Sequence, residues 1–125
     1  MKVRVANCSC GQLGARCEGE PLSMSLCHCS ACQRRTGSTY GIAAFFDKYR
    51  VSITGESSEF TRPSDSGHAI TFHFCPRCGS TLFWKPSRKP DLIAVAAGAF
   101  ADPSFPAPTK SVFEEQRHPW VGLSL

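Results

Sequence analysis

Residues 26–37 read LCHCSACQRRTG and put three thiols, Cys27, Cys29 and Cys32, into six positions. Packing a core does not call for such crowding. Five further cysteines, Cys8, Cys10, Cys17, Cys75 and Cys78, bring the total to eight. In a secreted chain that number would read as a disulfide framework. The spacing argues for metal instead: Cys8/Cys10 and Cys27/Cys29 are separated by one residue, Cys29/Cys32 and Cys75/Cys78 by two. Close pairs converge readily on an ion about 2.3 Å from each sulfur, whereas a disulfide needs a narrow Cα distance and dihedral range. Zinc is the first choice, and an iron–sulfur cluster would use the same ligands.

Cys75-Pro76-Arg77-Cys78-Gly79 has the form of a zinc knuckle. Its proline fixes one φ, and the glycine after the second cysteine permits a positive φ, so the turn can aim amides at the thiolates. Cys8-Ser9-Cys10-Gly11 is a shorter clamp that also ends in glycine. Four thiolates from these two segments make a closed tetrahedral site that ties the start of the chain to its middle.

Cys27, Cys29 and Cys32 then supply three ligands to a second site, and an open fourth position is the mark of a catalytic zinc. Cys17 shares one face of a period-two segment with Leu13 and Ala15 and reads as a small buried hydrophobe in preference to a fourth ligand. His28 points away from its cysteine neighbours in an extended chain and reads as a residue behind the ligands or on the surface. His68, His73 and His118 lack ligand spacing and read as surface or half-buried polar groups. Three thiolates leave zinc a weak Lewis acid, so the site suits a soft incoming thiol more than water. Such a thiol, bound as thiolate, is a nucleophile toward a carbonyl. Arg34 and Arg35 follow directly; they can offset the site's charge or hold a substrate carboxylate.

With 125 residues and 42% hydrophobic side chains, the expectation is one domain over residues 1–125. No run of 18 or more apolar residues is present, and MKVRVANCSC lacks the apolar stretch of a secretory signal, so the expected setting is soluble and cytoplasmic, without a membrane. The net charge of +4 is dispersed from Lys2 to Arg117, and two thiolate-bound zinc ions would bring it near +1, which argues against nucleic acid.

Apolar segments are short, rich in Val, Ile, Phe and Thr, and bounded by Gly, Pro, Ser or Asp, which predicts an all-β chain. The expected strands are 2–6, 13–18, 23–27, 39–46, 51–54, 59–62, 70–74, 81–85 and 92–97, with a final segment at 111–113. Only Ser30–Thr36 reads as helical, one or two turns capped by Ser30 and ended by Gly37. Three prolines within 102–108 make that stretch a loop.

CSCG at 8–11, CHCSACQRRTGS at 27–38 and FCPRCGSTLFW at 74–84, with SVFEEQRHPW at 111–120, together resemble the glutathione-dependent formaldehyde-activating enzyme family, which includes centromere protein V. The resemblance implies a zinc-stapled β-tent, a fold shared with methionine sulfoxide reductase B and a small zinc-binding Rab chaperone. It implies two zinc ions, a structural one on Cys8, Cys10, Cys75 and Cys78 and a catalytic one on Cys27, Cys29 and Cys32. The implied activity is that of a carbon–sulfur lyase joining glutathione, or a similar thiol, to formaldehyde or another small aldehyde. Ser111 stands where the family pattern has a histidine, and Cys17 where it has an ordinary apolar strand residue. The competing expectation is a non-catalytic zinc module with two closed sites that binds protein or nucleic acid. A third is a redox- or formaldehyde-responsive sensor read out by loss of metal.

Overall fold

The computed structural model describes residues 2–64 and 67–122. Its ten strands fall close to the expected ones: β1 (Val3–Asn7), β2 (Gly14–Glu18), β3 (Ser23–Cys27), β4 (Gly41–Asp47), β5 (Val51–Thr54), β6 (Ser58–Pro63), β7 (Ala69–Phe74), β8 (Thr81–Pro86), β9 (Leu92–Ala96) and β10 (Lys110–Val112). One α-helix, α1 (Ser30–Thr36), follows β3, and three short 3-10 turns complete the regular structure. The chain is therefore all-β with one short helix. Among the described residues no helix is long and apolar enough to cross a membrane.

The strands form two sheets. A three-stranded sheet has the order β1-β2-β5, and a seven-stranded sheet the order β10-β3-β4-β9-β8-β7-β6. All pairings are antiparallel except β10 on β3. The alternation of β4 explains how the large sheet is used on both faces. Ala44 and Phe46 join Ala15, Cys17, Leu82 and Val95 in the core between the sheets, while Ala43 and Phe45 pack with Phe72, Trp84 and Ala94 in a second apolar cluster. Successive strand residues point to opposite faces, so the second cluster lies on the face turned away from the small sheet.

Two differences from expectation have physical reasons. The helix N-cap is Cys29 and not Ser30: Cys29 is extended (φ −64°, ψ 155°) and its sulfur accepts from the Cys32 amide at 3.4 Å. Gly37 ends the helix in the left-handed region, as its lack of a Cβ permits. The fourth strand starts at Gly41 and not Thr39, because Thr36 Oγ1 accepts from the Ser38 amide and donates to the carbonyls of Cys32 and Tyr40, holding 36–40 in a turn.

Candidate metal centre and adjoining cavity

The β1–β2 turn belongs to the small sheet and the β7–β8 turn to the large one, and their cysteines meet. The Sγ atoms of Cys8, Cys10, Cys75 and Cys78 all lie within 4.8 Å of one another. Cys8 and Cys10 sulfurs are 3.7 Å apart, Cys10 and Cys75 sulfurs 3.6 Å. Four sulfurs about 2.3 Å from one ion at tetrahedral angles stand about 3.8 Å from each other, whereas a disulfide needs about 2.05 Å. All eight cysteines are free thiols. The residue types and spacing fit a tetrahedral thiophilic ion.

The turns are built for this. Gly11 and Gly79 sit at φ +84° and +80°, where a side chain would be strained, and each follows the second cysteine of its clamp. Leu13 and Arg77 amides donate to the sulfurs of Cys8 and Cys75, both at 3.3 Å. Desolvation works against the Cys75 thiolate, but hydrogen bonds from Gln12 and from the Cys78 and Arg77 amides hold its pKa below the usual thiol range. Bonds from the Ser80 hydroxyl and amide, and from the Cys10 amide, bring Cys78 down to about 5.

The second group is local in sequence. Cys27 ends β3, Cys29 caps α1 and Cys32 lies in its first turn, and their sulfurs also fall within 4.8 Å of one another. Among the described residues no fourth Cys, His, Asp or Glu completes this group. The Cys27 thiol hydrogen bond, against the cost of burial and aided by Cys29 and the Arg35 guanidinium, lowers Cys32 to about 5. The same bond holds Cys27 above the ordinary thiol range. Cys17 lies apart on β2, fully buried, with burial raising it to about 11, and packs as the small hydrophobe its strand position predicts.

Arg35 and Arg34 part company. The Arg35 guanidinium carbon stacks 4.3 Å from the Trp84 ring centroid and its charge faces Cys32, whereas Arg34 is exposed and lines a neighbouring groove. Gly41 makes room for this: a Cβ there would stand 2.7 Å from Arg35 Nη2. The three cysteines border a cavity of about 190 Å³ whose other walls include Phe45, Ile70, Phe72, Trp84 and Phe113. The second apolar cluster thus forms the floor of the site.

His28 is fully buried, which corrects the surface alternative. Its Nε2 lies 2.9 Å from Ser111 Oγ and 3.1 Å from Glu114 Oε2, and the Ser111 hydroxyl donates to the same carboxylate at 3.1 Å. Three more bonds join the loop to the C-terminal segment: His28 N to Val112 O, Ser30 N to Gln116 Oε1, and His118 Nε2 to Gln33 Oε1. Gln33 in turn donates to the His28 carbonyl at 2.8 Å. His73 is also buried, stacked 4.3 Å from Phe83, while His68 is exposed and His118 half-buried. Sequence reasoning missed Arg62, Trp84, Phe113, Glu114 and Gln116. The motif SVFEEQRHPW contains Phe113, Glu114 and Gln116, and FCPRCGSTLFW contains Trp84; Arg62 lies in neither.

The framework has known relatives. The family model described as glutathione-dependent formaldehyde-activating enzyme matches residues 3–116. A Penicillium rubens protein provisionally named as a glutathione-dependent formaldehyde-activating enzyme is 25% identical over 126 residues, covering 87% of this chain and 65% of its own length. The chain therefore spans about two thirds of that curated relative. A crystal structure of a Rhodobacter sphaeroides protein covers 86% of this chain and 98% of its own with a TM-score of 0.64, and at 19% identity the likeness concerns the fold alone. The family match begins at the first residue of β1 and ends at Gln116, the residue whose side chain accepts from the Ser30 amide in the three-cysteine loop. It takes in both cysteine groups and all ten strands, and on that ground the chain belongs to the glutathione-dependent formaldehyde-activating enzyme family.

Proposed function

We propose that the protein is a zinc-dependent carbon–sulfur lyase that takes glutathione or a similar thiol at Cys27, Cys29 and Cys32 and joins it to a small aldehyde, or cleaves the adduct. The observation that carries the reading is the contrast between four converging sulfurs at one site and three at the other, the latter opening on a cavity. In this reading Cys8, Cys10, Cys75 and Cys78 hold a structural zinc that staples the two sheets, and the fold is a β-tent. Eight free thiols fit a reducing compartment, and the cytoplasm is the proposed setting.

When bound by the three cysteines, a zinc ion supplies a position at which a thiol gives up its proton more readily. The chain's own groups do the rest. Arg35 offsets the thiolates' negative charge, and its guanidinium is held in place by Trp84. Phe72, Trp84 and Phe113 exclude water from the approaching aldehyde. In the addition a C–S bond forms, the carbonyl π pair moves to oxygen, and the proton lost by the thiol ends on that oxygen. The balance needs no oxidant or reductant.

The test is zinc stoichiometry together with X-ray absorption at the zinc edge, with and without glutathione. Two zinc ions whose mean sulfur count rises on adding glutathione are expected. Two ions already at four sulfurs each and indifferent to glutathione would replace the enzyme by a non-catalytic binding module.

A further inference from the structure

Beside the cavity at the three cysteines lies a groove of about 420 Å³ that borders Arg34 and Phe60. Arg35, Arg62 and Phe72 line both spaces. The guanidinium carbons of Arg35 and Arg62 stand 5.5 and 5.2 Å from the Phe72 ring centroid. No Asp or Glu lines either space among the described residues. A guanidinium stacked on an aromatic face keeps its N–H edge for a planar anion.

The two arginines differ in what already engages them. Arg35 answers the charge of Cys32. Arg62, half-buried on β6, donates to the Pro63 carbonyl at 3.2 Å, which leaves its charge unmatched by any carboxylate among the described residues. A cation beside Phe45, Ile70, Phe72 and Trp84 calls for a ligand with an anionic end and an apolar body. A bare hydroxymethyl group uses neither feature.

We infer that Arg62, with Arg35 across Phe72, is a carboxylate subsite. The adduct handled here carries a carboxylate and an apolar body that lies against Phe72 and Trp84, and Arg62 is the specificity residue. The inference rests on the three-cysteine group being where the substrate sulfur is held. The carboxylate can come from the thiol or from the aldehyde.

Trp84 reports on this subsite directly. In the zinc-loaded protein carrying Trp120→Phe, which removes the exposed second tryptophan, Trp84 emission is titrated with 3-phenylpropionate and with 3-phenylpropan-1-ol. The acid is expected to bind about tenfold more tightly than the alcohol, the size of one charge-assisted contact. Arg62→Gln is expected to erase that preference with an unchanged melting temperature, and Arg62→Lys to keep part of it. Equal binding of acid and alcohol, a preference that survives Arg62→Gln, or binding of neither probe would overturn the subsite. Neither probe contains sulfur, so a failure of the zinc–thiol reading in the absorption experiment is separate from a failure here. Displacement of the acid by 3-mercaptopropionate alone puts the carboxylate on the thiol, and by glyoxylate alone on the aldehyde. Displacement by both leaves the carboxylate itself as the recognised group, and displacement by neither counts against the proposal.

Discussion

Phe113 has φ 56° and ψ 44°, a conformation a bulky side chain rarely adopts, and it sits in the wall of the three-cysteine cavity. Such a residue costs of order 1 kcal/mol or more, and persists because its surroundings over-determine it. Here those surroundings are the β10 pairing on one side and the Gln116 amide, which donates to the Phe113 carbonyl, on the other. The turn it makes delivers Glu114 to His28 and Gln116 to Ser30. Phe113→Asn separates the two roles, because Asn tolerates the left-handed region while losing the aromatic wall. Its stability by urea unfolding is expected to stay within about 1 kcal/mol of the parent, and its affinity for a cavity ligand to fall several-fold. A loss of stability well above that would mean the ring is part of the core. The left-handed conformation of Phe113 was not legible in the sequence, since it has no composition signal. Cys29 was half legible: its spacing predicts the grouping with Cys27 and Cys32, but its use as the helix cap depends on the turn it makes.

At the scale of elements, the strands were readable because period-two apolar runs end at Gly, Pro and Asp, and the cysteine clamps because their spacing is local. The order of the strands was not. The parallel placement of β10 beside β3 brings together residues 85 positions apart, and Arg62, 35 positions from Cys27 and on the far strand of the same sheet, lines the same cavity as Cys27. Nothing in a local pattern encodes such partners. The register shift between His73 and Phe74, opposite β8, lies just before the Cys75 turn, where a bulge redirects a strand end. The two cysteine groups differ in what they join, so their loss should differ too. On the proposed zinc reading, Cys78→Ser is expected to lose the cooperative thermal transition, because metal binding there would be coupled to joining the sheets. Cys29→Ser keeps a good helix cap and should remain folded, with zinc content falling from about two to about one per chain. Equal unfolding of both variants would show that the three-cysteine group is as structural as the other.

Across the molecule, the small sheet is fastened to the large one at more than one place. Arg4, buried on β1, donates to both oxygens of Glu20 at 3.2 Å and to Asp102 at 3.3 Å. Hydrogen bonds from the Ser104 hydroxyl and amide, then the Arg4 charge, hold the Asp102 carboxyl below its ordinary value of 3.8. A carboxyl lowered in the folded state stabilises that state above the unfolded value, and the contribution fades as pH falls through the folded one. Asp102→Asn should therefore lower the urea midpoint at pH 7, with the gap from the parent closing below about pH 3.8. A gap that persists in strong acid would assign the effect to packing. The four-cysteine group imposes a different constraint, one of time. Cys8 and Cys10 leave the ribosome long before Cys75 and Cys78, and until then the first pair is half a site. On the proposed zinc reading, a growing chain carries two thiols whose partners are not yet made, open to oxidation or to capture of the wrong metal until Cys75 and Cys78 emerge.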